Sequence, residues 1–439
     1  MRSNFIDKAI STLPPDMIGR ALKITPRVFF DRKKDLLFRQ VIKYVSRNSP
    51  FYRRKFKEFG IKSDKVRYPS DLGDFYTTPD DIVSNAEEFI CGKPHTVFES
   101  SGTTGRNKRI YLTQGELDSI GKFNAAGLFL GGVTDTDRIV NAFDFCIWIP
   151  GIIAQKSIEK SGFFGINAGK VDPMEVYRRI PQYDLNIIMG EPTWLIKLTE
   201  IAEKNGSYPL KYIIGGAEEL PEAARPWMKD VWQGAEVKML YGTVESAGII
   251  GFEPYPECGS YHIDENSFFV EIADPDNDGY GEVTFTTLRR EAMPLVRYRN
   301  RDISRIIDEQ CRCGLPFRKL AKIRGRSDEL IVASGGNLYP LMFEEILRDV
   351  KGITNDWQIV FSLRGIKEIM EFNLELSDNN VSKQDIEKKI FFNIQSKYPD
   401  LHKNASLGIF DMVFTYHTPD SLRAANRKLL RTVDRRYQK

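Results

Sequence analysis

The feature that most constrains how this chain can fold is a change of period near residue 96. From there to about 240, short apolar or β-branched runs (96–99, 138–143, 185–189, 212–214, 237–240) alternate with stretches of helical period (117–130, 193–204, 221–232). A short buried run followed by a helix, repeated several times, is the pattern of parallel strands covered by helices. The expected fold class is therefore α/β, with a large N-terminal α/β domain built on parallel-rich sheets. Strand-rich sequence follows at 268–272, 282–288 and 303–307.

A polar break, Gly325-Arg326-Ser327-Asp328-Glu329, separates this region from a second cycle. There a helix at 341–350 leads to strands at 357–363 and 368–376, a helix at 383–398 and a strand at 408–415. That tail, roughly 110 residues, is long enough to fold as a domain. The expected division is 1–326 and 327–439, the second part being a small α+β domain. Ahead of the alternating region, residues 1–90 read as helical and basic. Leu36, Leu37, Val41, Ile42 and Val45 recur with helical period. Ser49 and Pro50 then stand in cap and first-turn positions for another helix.

Charge excludes some partners. With 63 basic and 60 acidic residues the net charge is +3, without long like-charge runs. Neither a nucleic-acid partner nor a membrane surface is expected on that ground. No apolar run approaches the roughly 18 residues of a spanning helix. Asp7, Lys8, Pro14 and Pro15 stand where an export signal would need apolar residues. Five cysteines make a disulfide scaffold improbable. A reducing, cytoplasmic setting is the expectation.

The glycine-rich stretch Ser100-Ser101-Gly102-Thr103-Thr104-Gly105-Arg106-Asn107-Lys108 lies between strand-like runs. Its glycines allow close backbone approach, and its hydroxyls and N–H groups can surround phosphate oxygens. The spacing is not that of a nucleoside-triphosphatase P-loop, and no helix follows directly. A polar hairpin turn is the other reading. Farther on, Cys258 and His262 are followed by Cys311 and Cys313. Three soft thiolates and an imidazole make a closed tetrahedral set, the chemistry of structural zinc in the strand region around 250–320. The alternative is free thiols and a surface histidine. Cys91 and Cys146 read as ordinary buried thiols.

Taken in order, the glycine-rich loop, Gly215-Gly216-Ala217-Glu218, Tyr241-Gly242-Thr243-Val244-Glu245, Tyr298-Arg299-Asn300-Arg301-Asp302, Gly325-Arg326-Ser327-Asp328 and a late Lys428 form a set. The set resembles the adenylate-forming superfamily of acyl-CoA synthetases and adenylation domains. The branch it most resembles is the short phenylacetate–CoA ligase one, from Asn48-Ser49-Pro50-Phe51-Tyr52 to Lys428-Leu429-Leu430-Arg431-Thr432-Val433-Asp434.

The resemblance implies ATP-dependent activation of a carboxylate to an acyl adenylate with release of pyrophosphate. Acyl transfer to the thiol of CoA or of a carrier-protein phosphopantetheine arm would follow. Ser100 to Gly105 with Lys108 would hold phosphates, and Glu245 would hold Mg²⁺. Gly216, Ala217 and Glu218 would face the adenine, with Tyr241, Gly242 and Thr243 lining the site. Val244 stands where relatives usually carry a hydroxyl. Asp302 would take the ribose, and Arg326 the ribose or a phosphate. Asp328 would be the hinge about which the small domain moves, and Lys428 the catalytic cation, although Arg427 replaces the glycine common before it. Residues 141–151 fall where the family lines its acyl pocket. Trp148 in that segment, with Met189 and Trp194 farther on, suggests a small carboxylic acid of aromatic or medium apolar type. Two other classes stay open: an adenylyltransferase or acyl–amine ligase sharing the first half-reaction, and a degenerate nucleotide-binding interaction protein.

Overall fold

The computed structural model describes residues 12–100, 107–145, 147–218, 220, 222, 224–327, 331–333, 336–338, 340–364, 367–378, 380–406, 410–423 and 429–436. They form a large mixed α/β unit and a smaller α+β unit. The larger comprises residues up to Asn300 with Ser304–Lys322; the smaller comprises Arg301–Ile303 with the chain from Ile323 onward.

In the larger unit the N-terminal helices are Pro15–Ile24, Arg27–Asn48, Pro50–Glu58 and Pro79–Asn85. The helix start expected at Ser49 is present: its hydroxyl accepts from the Tyr52 N–H at 3.2 Å, with Pro50 in the first turn. The alternating region builds one side of a mixed sheet. Phe164–Asn167, Arg138–Asn141, Ile187–Gly190, Tyr212–Gly215 and Glu236–Thr243 run parallel in that spatial order. Ile139, Ile187, Met189 and Ile214 are buried in one apolar cluster with Phe143 and Leu128. Beyond Glu236–Thr243 the sheet turns antiparallel through Gly248–Phe252, Ser260–Ile263, Lys319–Ala321 and Ile306–Ile307.

Two sequence expectations change here. Thr96–Glu99 is not a parallel strand of the main sheet. It pairs antiparallel with Arg109–Leu112, so the glycine-rich stretch is the loop of a separate hairpin. Phe164–Asn167 was not expected at all. It is a four-residue edge strand with no buried residue, so it carries no apolar run to read.

In the smaller unit a four-stranded sheet has the order Phe410–His417, Lys367–Leu376, Ile353–Arg364, Thr432–Asp434. Phe343, Ile359, Phe361, Phe372, Ile390 and Ile394 lie in its core. Thr432–Asp434 is a strand parallel to Ile353–Arg364. It is held there in part by Arg431, which donates to the Trp357 carbonyl at 3.1 Å and stacks over its ring. No helix among the described residues is long and apolar enough to cross a membrane.

Candidate active site

The strand Glu236–Thr243 and its turn into Gly248–Phe252 position the functional groups of the larger unit. Two local features make that turn tight. The pairing shifts register between Tyr241 and Gly242, and a Cβ on Gly242 would lie 2.5 Å from the Gly248 carbonyl oxygen, so only glycine fits. Thr243 and Ser246 then lock the loop. The Ser246 N–H donates to the Thr243 hydroxyl at 3.2 Å, and the Thr243 N–H to the Ser246 hydroxyl at 3.0 Å. The Thr243 hydroxyl is thus engaged with the loop that presents Glu245.

Glu245 is buried. Its carboxylate receives the Lys108 ammonium at 2.5 Å and the Tyr298 hydroxyl at 2.8 Å. Burial pushes this carboxyl up, but the charge and hydrogen bond of Lys108, with Tyr298, outweigh it and hold it below the usual carboxylate range. Lys108 ends the glycine-rich loop. Its N–H donates to the Ser100 hydroxyl at 3.1 Å, and its carbonyl accepts from the Ser100 N–H at 3.0 Å. Ser100 and Lys108 therefore close the neck of the loop. Ser101, Gly102, Thr103, Thr104 and Gly105 lie outside the described residues, as do Asp328, Cys146 and Lys428.

Tyr241 is buried. Its ring packs near that of Tyr261 at 5.6 Å, and its hydroxyl accepts from the Asn300 amide at 2.7 Å. Tyr298 and Asn300 were not singled out from the sequence. Their signal was available, because alternate residues of one strand face the same side, and Tyr298 and Asn300, two apart, are both buried. Asp302, in the smaller unit, is buried and pairs with Arg326 at 3.3 Å, joined also by a backbone bridge.

Gly216 and Ala217 follow the strand Tyr212–Gly215. Ala217 has φ of +69°, a left-handed conformation that costs free energy outside glycine and marks a constrained turn. Both residues line a cavity of about 190 Å³ together with Phe143, Ile149, Met189 and Tyr241. Gly242, Thr243 and Val244 line it too, so the cavity and the Glu245 loop share one strand end. Trp148 and Trp194 are not in its wall. Trp194 is buried and donates its indole N–H to the Val171 carbonyl at 2.8 Å. Glu218 is partly buried.

The four metal-type residues come together on the antiparallel side of the sheet. Cys258 and Cys311 sulfurs are 3.8 Å apart, and Cys313 Sγ is 3.6 Å from His262 Nε2. A tetrahedral zinc with Zn–S of about 2.3 Å and Zn–N of about 2.0–2.1 Å would set edges of about 3.8 and 3.5 Å. Cys258, His262 and Cys311 bring donor atoms within 4.8 Å of one another, a set of the kind that suits the ion, and Cys313 adjoins it through His262. Burial, with Lys319 nearby, lowers the imidazole to about 4, which keeps it neutral with a lone pair free. The Leu315 N–H points at Cys313 Sγ at 3.5 Å, a donor of the kind that surrounds thiolate ligands. Cys91 stands apart, partly buried, its thiol pushed up to about 12 by burial.

No protein-family model matches the chain. Among curated proteins, the phenylacetate–coenzyme A ligase of Aromatoleum evansii is 30% identical over 322 residues, 70% of this chain and 72% of that protein. The phenylacetate–coenzyme A ligase of Thermus thermophilus is 28% identical over 375 residues, 81% of this chain and 84% of that one. Among solved structures, a 2-hydroxyisobutyryl-CoA ligase in the postadenylation state superimposes with a TM-score of 0.81 at 17% identity, over 94% of this chain and 91% of that one. The O-succinylbenzoate coenzyme A synthetase of Bacillus subtilis, bound to ATP and magnesium, gives 0.56 at 19% identity, over 76% and 68%; at these identities the superpositions speak for the fold. The chain belongs to the adenylate-forming superfamily. Within it, the protein is an AMP-forming acid–thiol ligase.

Proposed function

We propose that this protein is a phenylacetate–CoA ligase-like enzyme that adenylates a small aromatic or medium apolar acid and passes the acyl group to the thiol of coenzyme A. The observation that carries the reading is the buried Glu245 carboxylate paired with Lys108, next in the chain to Thr243 and Val244, which line the apolar cavity. A carboxylate held ionised at a strand end suits Mg²⁺, which takes one or two carboxylates beside substrate phosphates. The cation would neutralise phosphate charge there. Lys108, beside Glu245, would pair with a phosphate oxygen and add a second positive charge there.

Ser100 through Gly105 would surround the terminal phosphates. Gly216, Ala217 and Glu218 would pack on the adenine, with Tyr241 fixed by Asn300 as the neighbouring wall. The Thr243 hydroxyl accepts from the Ser246 N–H and so helps to hold the loop that presents Glu245. Asp302 would accept from the ribose hydroxyls, with Arg326 holding its carboxylate in place. Lys428 would supply the cation at the reacting oxygens during adenylation, and Asp328 the hinge of the small domain, whose expected extent is 327–439. Cys258, His262, Cys311 and Cys313 would hold a structural zinc, since a set with no open position leaves no room for a substrate.

ATP–pyrophosphate exchange with a panel of arylacetic, benzoic and medium-chain acids, followed by thioester detection with coenzyme A, tests the reading. Exchange and thioester with an arylacetic acid support it. Exchange without thioester would make the protein an acyl–amine ligase or adenylyltransferase. Nucleotide binding without exchange for any acid would leave only a nucleotide-binding role.

A further inference from the structure

The apolar part of the cavity of about 190 Å³, walled by Phe143, Ile149, Ile153 and Met189, is read here as the acyl pocket, and one helix inserts an amide into it. Asn124, on the helix Gln114–Leu130, lines the cavity opposite the strand end that carries Thr243 and Val244. It is nine-tenths buried, and its Nδ2 has no hydrogen-bond partner among the described residues. Other polar groups around the same space are already committed. The Ser157 hydroxyl donates to the Ile153 carbonyl at 2.7 Å, and the Thr243 hydroxyl accepts from the Ser246 N–H at 3.2 Å. In the adjoining space that Asn124 also lines, the Lys238 ammonium donates to the Gly131 carbonyl at 2.7 Å, and Glu253 pairs with Arg225 at 3.0 Å. A buried polar group without a partner is a standing cost to the free protein, and native interiors seldom keep one without a use.

We propose that Asn124 is a specificity-determining residue that selects acids whose apolar body carries a hydroxyl group. The inference rests on the reading of this cavity as the acyl pocket. A hydroxyl can accept from the amide nitrogen or donate to the amide oxygen, so it satisfies the side chain in either orientation about its last torsion. An acid of the same shape without the hydroxyl leaves the amide unpaired in the complex as well, and it loses the difference. The preferred substrate class is a hydroxyaryl or hydroxyalkyl acid in place of the plain hydrocarbon one.

The test is ATP–pyrophosphate exchange on the whole protein with matched acids: phenylacetate against its 2-, 3- and 4-hydroxy forms, and 3-phenylpropanoate against its ring-hydroxylated forms. In the wild type, kcat/KM for the best hydroxylated isomer should exceed that of its parent roughly ten-fold. In Asn124→Leu that ratio should fall to about one, with the change carried mainly by KM. The ligand-free variant should also melt at a higher temperature, since an unpaired polar group has been removed. Asn124→Ala provides the same ratio should leucine overpack the site. An equal ratio in the wild type and both variants overturns the role of Asn124 and leaves the acyl pocket standing. Absence of exchange with every acid in the wild type overturns the pocket reading and this inference with it.

Discussion

Replacing Glu245 by glutamine separates catalysis from folding in the proposed site. The substitution keeps the shape and leaves an amide oxygen for the Tyr298 hydroxyl, now at 2.8 Å from the carboxylate. It removes the charge that Lys108 approaches at 2.5 Å. Breaking a fully buried pair costs about 3–5 kcal/mol. Here the Lys108 side chain keeps 19% of its surface exposed and can turn toward water, while the glutamine no longer bears the desolvation of a buried charge. The expected loss of stability is therefore nearer 1–3 kcal/mol, on the order of 2–4 °C in the melting temperature for a unit of this length.

The effect on chemistry should be far larger. Removing a carboxylate that holds the metal should raise the Mg²⁺ concentration for half-maximal exchange at least ten- to a hundred-fold. Loss of charge stabilisation at saturating Mg²⁺ should lower the exchange rate roughly 10²–10³-fold. Lys108→Met should lose a comparable factor, and the double variant should lose less than the product, because the two groups act on the same phosphates. Magnesium titration of pyrophosphate exchange, with thermal melting of the same samples, reads both quantities. Exchange in Glu245→Gln within about three-fold of the wild type, with unchanged Mg²⁺ dependence, would refute the reasoning and reduce the pair to a structural ion pair.

Washed protein should hold about one zinc per chain, and Cys311→Ser should lower the melting temperature more than it lowers exchange per folded molecule; near-zero zinc with full stability would remove the metal. Lys428→Ala should lose roughly 10²–10³ in adenylation while thioester formation from a supplied acyl adenylate stays nearly normal; equal loss in both half-reactions would point to a docking defect. Glu265 gives a pH prediction. Burial raises its carboxyl, but Arg27, Lys34 and Arg318 outweigh this and bring it to about 2, below the 4.5 of a free glutamate. The folded state therefore gains roughly 3 kcal/mol above pH 4.5 and loses it as pH falls from 4.5 to 2. Glu265→Gln should flatten that part of a urea-midpoint profile, and an unchanged slope would contradict it.

The site was legible in the sequence where chemistry and spacing are local. Short runs alternating with helices dictate parallel strands, because each strand face must be covered and the connecting helix covers it. Ser49-Pro50 starts a helix through groups one turn away, and Thr113 does the same with Glu116 in a reciprocal cap. Cys258 and His262 are close in sequence, as are Cys311 and Cys313, and the rarity of both residue types was enough to link the two halves. What stayed hidden depends on partners distant in the chain. Lys108 and Glu245 carry no local mark of pairing; the hairpin loop and the strand turn meet only once the larger unit is packed. Tyr298 and Asn300 look like residues of an ordinary polar strand until Glu245 and Tyr241 are set against them. Asn124 sits in a helix whose pattern says only which face is buried. That its amide nitrogen finds no partner among the described residues is a property of every wall of the cavity at once, which tertiary packing alone decides.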